Sequence, residues 1–381
     1  MKILITTDLY TTATNGVVTS VKNLWDELKK KGHDVRILTL SETHHSRREG
    51  EVTFIRSLPI AVYPDVRMSF AKRHPLIKEL IEWRPDVIHS QCEFFTFRFA
   101  SYIAKKTHAP IVHTYHTLYE QYVAYIVPGK KLASFVVRNL SKLILRKVDR
   151  IIVPTRKVES TLLGYGMHQG MSVVPSGISL EQHQRRISPE QRVQKRHELG
   201  IADDRLVLLN LGRLGTEKNI AELVDFFSKA IADDDRLLFL IVGDGPAREG
   251  LEKQAERLGV RDRVIFTGMV KPSEVQEYYQ LGDVFVSAST SETQGLTYVE
   301  AAANGLPLLC RSDLCLKDVL MQGENGYEYT DETEFRRGLD EIRRDPAWRE
   351  DAGKKSEQIA ASFGKSAFGD AVEQVYLSVL H

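Results

Sequence analysis

The amino-acid sequence predicts an α/β protein with two doubly wound, mostly parallel sheets in series. Its 381 residues exceed the usual size of a single domain. Apolar runs of strand length alternate with amphipathic segments, a pattern typical of parallel sheets covered by helices. A second alternating series begins after the polar stretch 179–204. The boundary is therefore predicted near Pro175–Gly177, between an N-terminal domain, 1–178, and a C-terminal domain, 179–365.

The first series opens with a strand at Lys2–Thr7 and a helix at Val18–Lys31, where apolar residues recur at helical spacing. Its later strands are predicted at Val35–Leu40, Val87–His89, Ile111–Thr114, Ile151–Val153 and Ser172–Val174. The second series has strands at Arg205–Leu211, Leu237–Val242, Val264–Phe266, Val284–Ser287 and Leu306–Cys310. A helix is predicted at Leu296–Ala303, and the amphipathic segment Ser366–Leu380 has no strand after it. Because such sheets bind ligands beyond the carboxyl ends of their strands, the pair predicts a ligand cleft.

Composition is that of a soluble globular protein, with 42% apolar and 27% charged residues. No apolar run approaches the roughly 18 residues of a membrane span. The opening residues, M-K-I-L-I-T-T-D, lack the layout of a signal peptide. Cys92, Cys310 and Cys315 are too few for a disulfide framework and lack metal-ligand spacing. These features predict a cytoplasmic location.

Charge is distributed unevenly between the two predicted domains. Residues 1–178 hold 26 Lys and Arg against 15 Asp and Glu, a balance of +11. By difference from the totals of 52 and 51, the remainder holds 26 against 36, a balance of −10. The excess predicts an anionic partner for the first half only, unless the two domains simply differ in composition.

Two cations flank the loop that follows the first strand of the second series. In L-G-R-L-G-T-E-K they are Arg213 and Lys218. Arginine offers a fork of donors and lysine a point charge, a combination suited to a diphosphate. On its own this spacing is equally typical of solvated loop cations.

Two carboxylates flank the start of the predicted helix after the strand Val284–Ser287. In S-E-T-Q-G-L-T-Y-V-E, Glu292 lies in the loop and Glu300 about one turn inside the helix. Carboxylates accept from vicinal hydroxyl groups, and free N–H groups around Gly295–Thr297 favour phosphate. Carboxylates on both sides of such an amide cluster indicate a sugar-nucleotide site. Glu300 alone is also compatible with a solvated helix face.

The loop after the first strand, D-L-Y-T-T-A-T-N-G-V, carries a turn signal at Asn15-Gly16. A glycine here lets backbone N–H groups approach an anion at the start of the following helix. The loop lacks the G-x-G-x-x-G fingerprint of dinucleotide-binding proteins. An ordinary turn explains Asn-Gly equally well.

Taken together, these motifs resemble the retaining glycosyltransferases of family 4, whose GT-B fold consists of two facing Rossmann-like domains. The matching stretches are Asn15-Gly16, His116, R-L-G-T-E-K at 213–218, G-D-G-P at 243–246, F-T-G at 266–268 and E-x7-E at 292–300. The resemblance covers nearly the whole chain. It implies that the last helix, 366–381, packs back on the first domain, and that no metal is essential. The D-x-D at Asp233–Asp235 is accordingly interpreted as solvated.

The resemblance also implies a role for each matching residue. Glu300 would bind the ribose hydroxyls and Glu292 the hydroxyls of the donor sugar. Arg213 and Lys218 would hold the diphosphate, together with backbone amides. The remaining implied contacts are amides of Gly16, Leu296 and Thr297 at the phosphates, backbone near Met269 and Val270 at the base, and His116 at the donor sugar.

Three stretches look like the bacterial subgroup that transfers glucose to diacylglycerol. They are S-E-T-Q-G-L-T-Y-V-E, Y-P-D-V-R at 63–67 and H-T-Y-H-T-L-Y-E-Q-Y at 113–122. Gln294 stands where many family members have an aromatic residue. The subgroup often has His-Tyr where this chain has Ala124-Tyr125, so the acceptor is less closely indicated than the donor site.

Two segments of the first domain are predicted to meet an anionic membrane. Lys130–Lys147 carries six cations and no carboxylate, with Leu132, Phe135, Val136, Leu140, Leu143 and Ile144 on one helical face. That face is equally compatible with packing on the sheet. His44–Arg73 is predicted as a basic loop that exposes Tyr63, Met68 and Phe70.

The predicted activity is the transfer of a hexose, with glucose favoured, from a UDP-sugar to a diacylglycerol-type lipid at the inner face of the cell membrane. One alternative is a family 4 enzyme with a soluble sugar, polyol or polysaccharide acceptor. Another is a regulatory protein that binds a nucleotide sugar without turnover. Nucleic-acid binding is disfavoured, because no recognition motif accompanies the basic half.

Overall fold

The computed structural model describes residues 1–10, 16–60, 63–118 and 130–380. The chain divides into two compact units. Met1–Ile178 and Lys365–His381 form unit 1, and Ser179–Gly364 forms unit 2. Each unit has its own parallel sheet between helices, so the predicted fold class, with two Rossmann-like α/β domains, is confirmed.

Unit 1 is built on an eight-stranded sheet in the order β10-β9-β8-β7-β1-β2-β4-β3. Every pair in it is parallel except β3 with β4. The unit's strands are β1 (Lys2–Thr7), β2 (Asp34–Leu40), β3 (Arg47–Glu49), β4 (Val52–Ile55), β5 (Leu58–Ile60), β6 (Tyr63–Met68), β7 (Val87–Ser90), β8 (Ile111–Thr114), β9 (Arg150–Val153) and β10 (Met171–Val173). The strand order reverses between β1 and β7, which places a switch point at their carboxyl ends.

Helices cover both faces of this sheet. They are α1 (Gly16–Lys30), α2 (Pro75–Trp83), α3 (Phe95–Thr107), α4 (Lys130–Leu145) and α5 (Arg156–Gly164). Helix α1 buries Val21, Leu24 and Leu28 against one face, where they meet the alternate side chains of β1 and β2. Helix α3 buries its apolar side chains against the other face. This two-sided burial explains why the strands read as nearly continuous apolar runs.

The prediction that His44–Arg73 is a loop is wrong. The segment contains β3 and β4, which extend the sheet, and the antiparallel hairpin of β5 and β6. All four strands are short, and β3 and β6 also contain arginines, which hid their pattern. Phe70 is exposed as predicted, whereas Met68 is only partly exposed.

Helix α4 exposes most of the apolar face that the sequence defines. Phe135 and Leu143 are 64% and 61% exposed, and Val136 and Leu140 are also exposed. The prediction that Ile144 shares this exposed face is wrong. Ile144 is buried in the core with Val137 and Leu145, because it lies on the adjoining side of the helix. The side chain of Leu132 lies outside the described residues.

Unit 2 is built on a six-stranded parallel sheet in the order β13-β12-β11-β14-β15-β16. Its strands are β11 (Leu206–Leu211), β12 (Leu237–Val242), β13 (Val264–Phe266), β14 (Val284–Ser287), β15 (Leu308–Arg311) and β16 (Gly326–Tyr329). Its helices are α6 (Leu180–His183), α7 (Pro189–Glu198), α8 (Ile220–Ala230), α9 (Arg248–Arg257), α10 (Val275–Tyr279), α11 (Leu296–Ala303), α12 (Glu332–Arg344) and α13 (Pro346–Ala360). The switch point of this sheet lies between β11 and β14.

The last helix, α14 (Lys365–Leu380), packs on unit 1 beside α1. The hydroxyl of Tyr376 lies 2.7 Å from Nδ1 of the buried His89, on β7. Lys31 and His33 pair with Glu373, at 2.9 and 2.7 Å. Apolar packing and these polar contacts together explain why a helix with no following strand is stable. No described helix of the chain is long and apolar enough to cross a membrane.

Candidate active site

The candidate site in unit 2 is centred on an ion pair across the switch point of its sheet. Lys218 ends the short 3₁₀ turn Thr216–Lys218 after β11, and Glu292 lies in the loop after β14. Nζ of Lys218 is 2.6 Å from Oε1 of Glu292. Both side chains are mostly buried, so solvent screens this pair less than a surface pair. The sheet order thus joins two residues that lie 74 positions apart.

Arg213 is held by the carboxylate of Glu217, which lies in the same loop. Its Nη2 donates to Oε1 of Glu217, whose side chain is only 6% exposed. Gly215 lies directly against this carboxylate, since a Cβ there would be 2.3 Å from both carboxylate oxygens. The R-L-G-T-E-K loop therefore folds back on itself and fixes the guanidinium near the end of β11.

The G-D-G-P stretch packs its backbone against the same loop. Gly243 has φ +127°, and a Cβ there would lie 2.0 Å from the carbonyl oxygen of Gly212. Its N–H donates to the carbonyl of Gly268, at 3.1 Å. The turns after β11, β12 and β13 are thereby tied together. Met269 and Val270, the predicted base contacts, follow at once, and Met269 is 75% exposed.

Helix α11 begins at a glycine that shapes the S-E-T-Q-G-L-T-Y-V-E loop. Gly295 has φ +73°, and a Cβ there would lie 2.4 Å from the ring of Tyr298. Tyr298 is buried beneath the loop, and its hydroxyl is 3.1 Å from Oγ of Ser287. The first N–H groups of the helix, at Leu296 and Thr297, have no intrahelical acceptor. Gln294 is buried, with 5% of its surface exposed.

Glu300 is oriented by a buried tyrosine. The hydroxyl of Tyr279, at the end of α10, donates to Oε2 of Glu300 over 2.8 Å. Glu300 is partly exposed and Tyr279 is fully buried. The carboxylate is therefore held in place from the protein side.

Unit 1 carries a second polar cluster at the carboxyl ends of β1, β7 and β8. Asp8 caps helix α3 by accepting from the backbone N–H and hydroxyl of Thr96, at 2.7 and 2.6 Å. Burial raises the pKa of Asp8 despite these hydrogen bonds. Nε2 of His116 is 2.7 Å from Oε1 of the buried Gln91. Burial and the neighbouring His113 lower the pKa of His116 to about 3, so its imidazole is neutral at physiological pH.

The structure thus distributes the predicted residues over two sheet edges. Arg213, Lys218, Glu292, Gly295–Thr297 and Glu300 gather at the carboxyl edge of the sheet in unit 2, with Met269 and Val270 in the turn after β13. Gly16 opens α1 and His116 follows β8, both in unit 1. Asn15, Tyr119–Tyr122 and Ala124-Tyr125, which carry part of the resemblance, lie outside the described residues.

Glu217, Tyr279 and Gln91 were not predicted. Glu217 lies within a motif that was interpreted only through its two cations. Tyr279 precedes Glu300 by 21 positions and lies on a different helix, so no local spacing connects them. Gln91 is 25 positions from His116 in sequence. For Tyr279 and Gln91, only the order of the parallel strands brings the partners together, whereas Glu217 meets Arg213 within one loop.

Two Rossmann-like units with a polar, cation-bearing site at the switch point are the features of a GT-B glycosyltransferase. The sequence also matches two protein families. Residues 14–182 match Glycosyltransferase Family 4, and residues 191–359 match Glycosyl transferases group 1. The chain belongs to glycosyltransferase family 4. This confirms the resemblance stated from the sequence motifs.

Two named relatives support this assignment, and a solved structure supports the fold. Alpha-monoglucosyldiacylglycerol synthase of Streptococcus pneumoniae is 37% identical over 84% of this chain and 73% of its own. The enzyme of the same name from Acholeplasma laidlawii is 31% identical over 100% of this chain and 98% of its own. Anabaena HepE, solved with UDP and glucose, has a TM-score of 0.78 at 16% identity and covers 99% of this chain and 100% of its own.

The close approach of Gly243 to the carbonyl of Gly212 predicts that a side chain at position 243 impairs the site. Gly243→Ala should lower the rate of glycosyl transfer roughly 10²-fold, because the new Cβ displaces the turn that carries Arg213 and Lys218. Gly323→Ala is the matched control, since Gly323 also has a positive φ, +78°, but nothing lies within 4 Å of its added Cβ. Steady-state rates and thermal unfolding of both variants provide the measurement. Equal activity of the two variants would contradict the prediction.

Proposed function

We propose that this protein is a retaining glycosyltransferase that moves a hexose, with glucose favoured, from a UDP-sugar to a diacylglycerol-type membrane lipid. The observation that carries the donor assignment is the Lys218–Glu292 ion pair across the switch point of unit 2. It brings a phosphate-binding cation and a hydroxyl-binding carboxylate within 2.6 Å of each other. In a sugar diphosphate, anionic phosphate groups and sugar hydroxyls lie next to each other, so both residues can bind the same ligand.

In the proposed donor complex, each residue meets a different part of the ligand. Within unit 2, Lys218, Arg213 and the backbone amides of Leu296 and Thr297 hold the diphosphate, and Glu292 accepts from hydroxyls of the sugar. Glu300 accepts from the ribose hydroxyls, and the backbone at Met269 and Val270 meets the base. Gly16 and His116, which lie in unit 1, stay expectations of the family resemblance, and the imidazole of His116 is neutral, since its pKa is about 3.

The reaction breaks the bond between the anomeric carbon and the diphosphate oxygen. Positive charge develops on the sugar ring and negative charge on the departing UDP. Lys218, Arg213 and the first amides of α11 are fixed in place before the reaction, so they stabilise the departing charge without reorganising. The acceptor hydroxyl attacks from the same face, and its proton passes to the departing diphosphate. Configuration at the anomeric carbon is then retained.

The lipid acceptor is supported by the relatives and by helix α4. Both relatives described above are alpha-monoglucosyldiacylglycerol synthases. Helix α4 exposes Phe135, Val136, Leu140 and Leu143 beside the exposed cations Arg138, Arg146 and Lys147. An apolar stripe flanked by cations is suited to the surface of an anionic leaflet. The arginine-rich segment His44–Arg73, which exposes Leu58 and Phe70, is proposed as a second part of this peripheral membrane surface.

The role of Lys218 is tested by removing its charge. Lys218→Ala should lower the turnover number by roughly 10²–10³, the effect of losing one preorganised donor to a developing anion. Lys253→Ala is the control, because Lys253 is 70% exposed and, among the described residues, pairs only with Glu249 on the surface of α9. Rates are measured as UDP release from UDP-glucose. Turnover of Lys218→Ala within twofold of the unaltered protein would contradict the assignment.

Acceptor class is tested with a panel of donors and acceptors. UDP release from UDP-glucose should require a diacylglycerol-type lipid and should increase with anionic lipid. We expect the product to have the anomeric configuration of the donor, and EDTA to leave the rate unchanged. Equal turnover with a soluble sugar and no lipid would support the soluble-acceptor alternative. Donor binding without turnover on any acceptor would support the regulatory alternative.

Membrane binding by α4 is tested by making its exposed face polar. Phe135→Ser with Leu143→Ser should weaken binding to anionic vesicles at least about tenfold, because two large apolar side chains no longer enter the interface. Val193→Ser is the control, since Val193 is 40% exposed on α7 of unit 2. Vesicle co-sedimentation gives the affinity. Unchanged affinity of the double variant would exclude α4 as the binding face.

A further inference from the structure

A fully buried tyrosine contacts the carboxylate of Glu300 from behind helix α11. Tyr279 is 0% exposed, and its hydroxyl donates to Oε2 of Glu300 over 2.8 Å. We propose that Tyr279 is a positioning residue that fixes the Glu300 carboxylate in the orientation needed to accept from two vicinal ribose hydroxyls. This inference rests on the proposed donor site and adds a specificity-determining residue to it.

Packing leaves the tyrosine ring little freedom to move. Its centroid lies 6.1 Å from the ring of Phe285, on β14, at an interplanar angle of 43°. On another side the ring of His183 meets it edge-on, at 6.2 Å and 74°. Because the sheet and α6 both hold the ring, the hydroxyl presents its proton from a fixed point. A fixed donor selects one rotamer of the longer and more flexible glutamate side chain.

Protonation favours Tyr279 as the donor. Burial raises the pKa of the phenol well above its ordinary value, and the charge of Glu300 raises it further. The phenol therefore keeps its proton throughout the physiological range. The hydrogen bond consequently has one polarity, from tyrosine to carboxylate.

A neutral donor has a different effect from a cation. Lys218 brings a positive charge to Glu292, whereas the phenol orients Glu300 without bringing a charge. His183, which also lies near Glu300, does not act as a cationic partner of this carboxylate either. Burial lowers the pKa of His183 even though Glu300 opposes the shift, and its Nδ1 lies 3.1 Å from Nδ2 of Asn304.

The remaining acceptor capacity of Glu300 matches a pair of hydroxyls. No other described side chain donates a hydrogen bond to this carboxylate. An ionised carboxylate has about four lone-pair positions, of which the phenol uses one. Oε1 and the second lone pair of Oε2 can then accept from adjacent hydroxyls. If the carboxylate rotated, it would still be charged but would meet only one of them.

The test compares two ligands that differ only in those hydroxyls. Binding of UDP and of 2′,3′-dideoxy-UDP is measured by calorimetry for the unaltered protein, Tyr279→Phe and Glu300→Ala. Tyr279→Phe should weaken UDP roughly tenfold and change the dideoxy ligand less than twofold, because the lost hydrogen bond acts through the ribose contacts. Glu300→Ala should remove discrimination between the two ligands.

Tyr329→Phe serves as the matched control. Tyr329 is also fully buried in unit 2, and its hydroxyl donates to the backbone carbonyl of Ser287 over 3.1 Å. This variant also loses a buried tyrosine hydroxyl bond, yet it should keep the preference for UDP. If it follows the expected pattern while Tyr279→Phe selectively loses UDP affinity, the positioning role is supported.

The results that would contradict the positioning role of Tyr279 differ from those that would contradict the donor site. Equal weakening of both ligands by Tyr279→Phe would make the tyrosine merely structural and overturn the inference. The inference is also overturned if Glu300→Ala abolishes the preference for UDP over the dideoxy ligand while Tyr279→Phe preserves it. In that case the proposed donor site is still supported. Failure of the unaltered protein to bind UDP, or to prefer it over the dideoxy ligand, would overturn the assignment of Glu300 as well.

Discussion

The ion pair between Lys218 and Glu292 is the contact on which the organisation of unit 2 as a site depends. It joins the loop after β11 to the loop after β14, the two strands between which the sheet order reverses. Strands on the two sides of that reversal send their connections to opposite faces, which leaves an opening at the carboxyl edge. The pair spans this opening, and its mostly buried position means that it is screened less than a surface pair.

The rest of the proposed donor site is arranged around that span mainly by backbone contacts, with the Arg213–Glu217 pair as a second charged contact. Gly243 lets the turn after β12 approach the carbonyl of Gly212, and Gly295 lets α11 begin directly over Tyr298. Neither approach tolerates a side chain. The proposed phosphate ligands are therefore held by rigid turns, while the proposed hydroxyl ligands Glu292 and Glu300 are oriented by Lys218 and Tyr279. Such prior orientation is what stabilisation of a departing diphosphate requires.

The two units carry different chemistry at corresponding edges. Unit 2 presents cations and carboxylates, whereas unit 1 presents the neutral imidazole of His116, a buried Gln91 and an Asp8 that caps a helix. Unit 1 also carries the exposed apolar stripe of α4 and an excess of basic residues, whereas acidic residues are in excess in unit 2. This division is consistent with a donor site in one unit and an acceptor surface on the other, as proposed.

The sequence by itself determined the fold class, most strands and the motif residues, because buried parallel strands are continuous apolar runs and the family motifs are local. It did not reveal β3 to β6 or β16, which are all short strands, or the burial of Ile144, which depends on how α4 meets the core. The partners Glu217, Tyr279 and Gln91 were decided only by the tertiary structure. For Tyr279 and Gln91, strand order sets proximity across more than 20 positions of sequence; for Glu217, the loop must first fold back over Gly215.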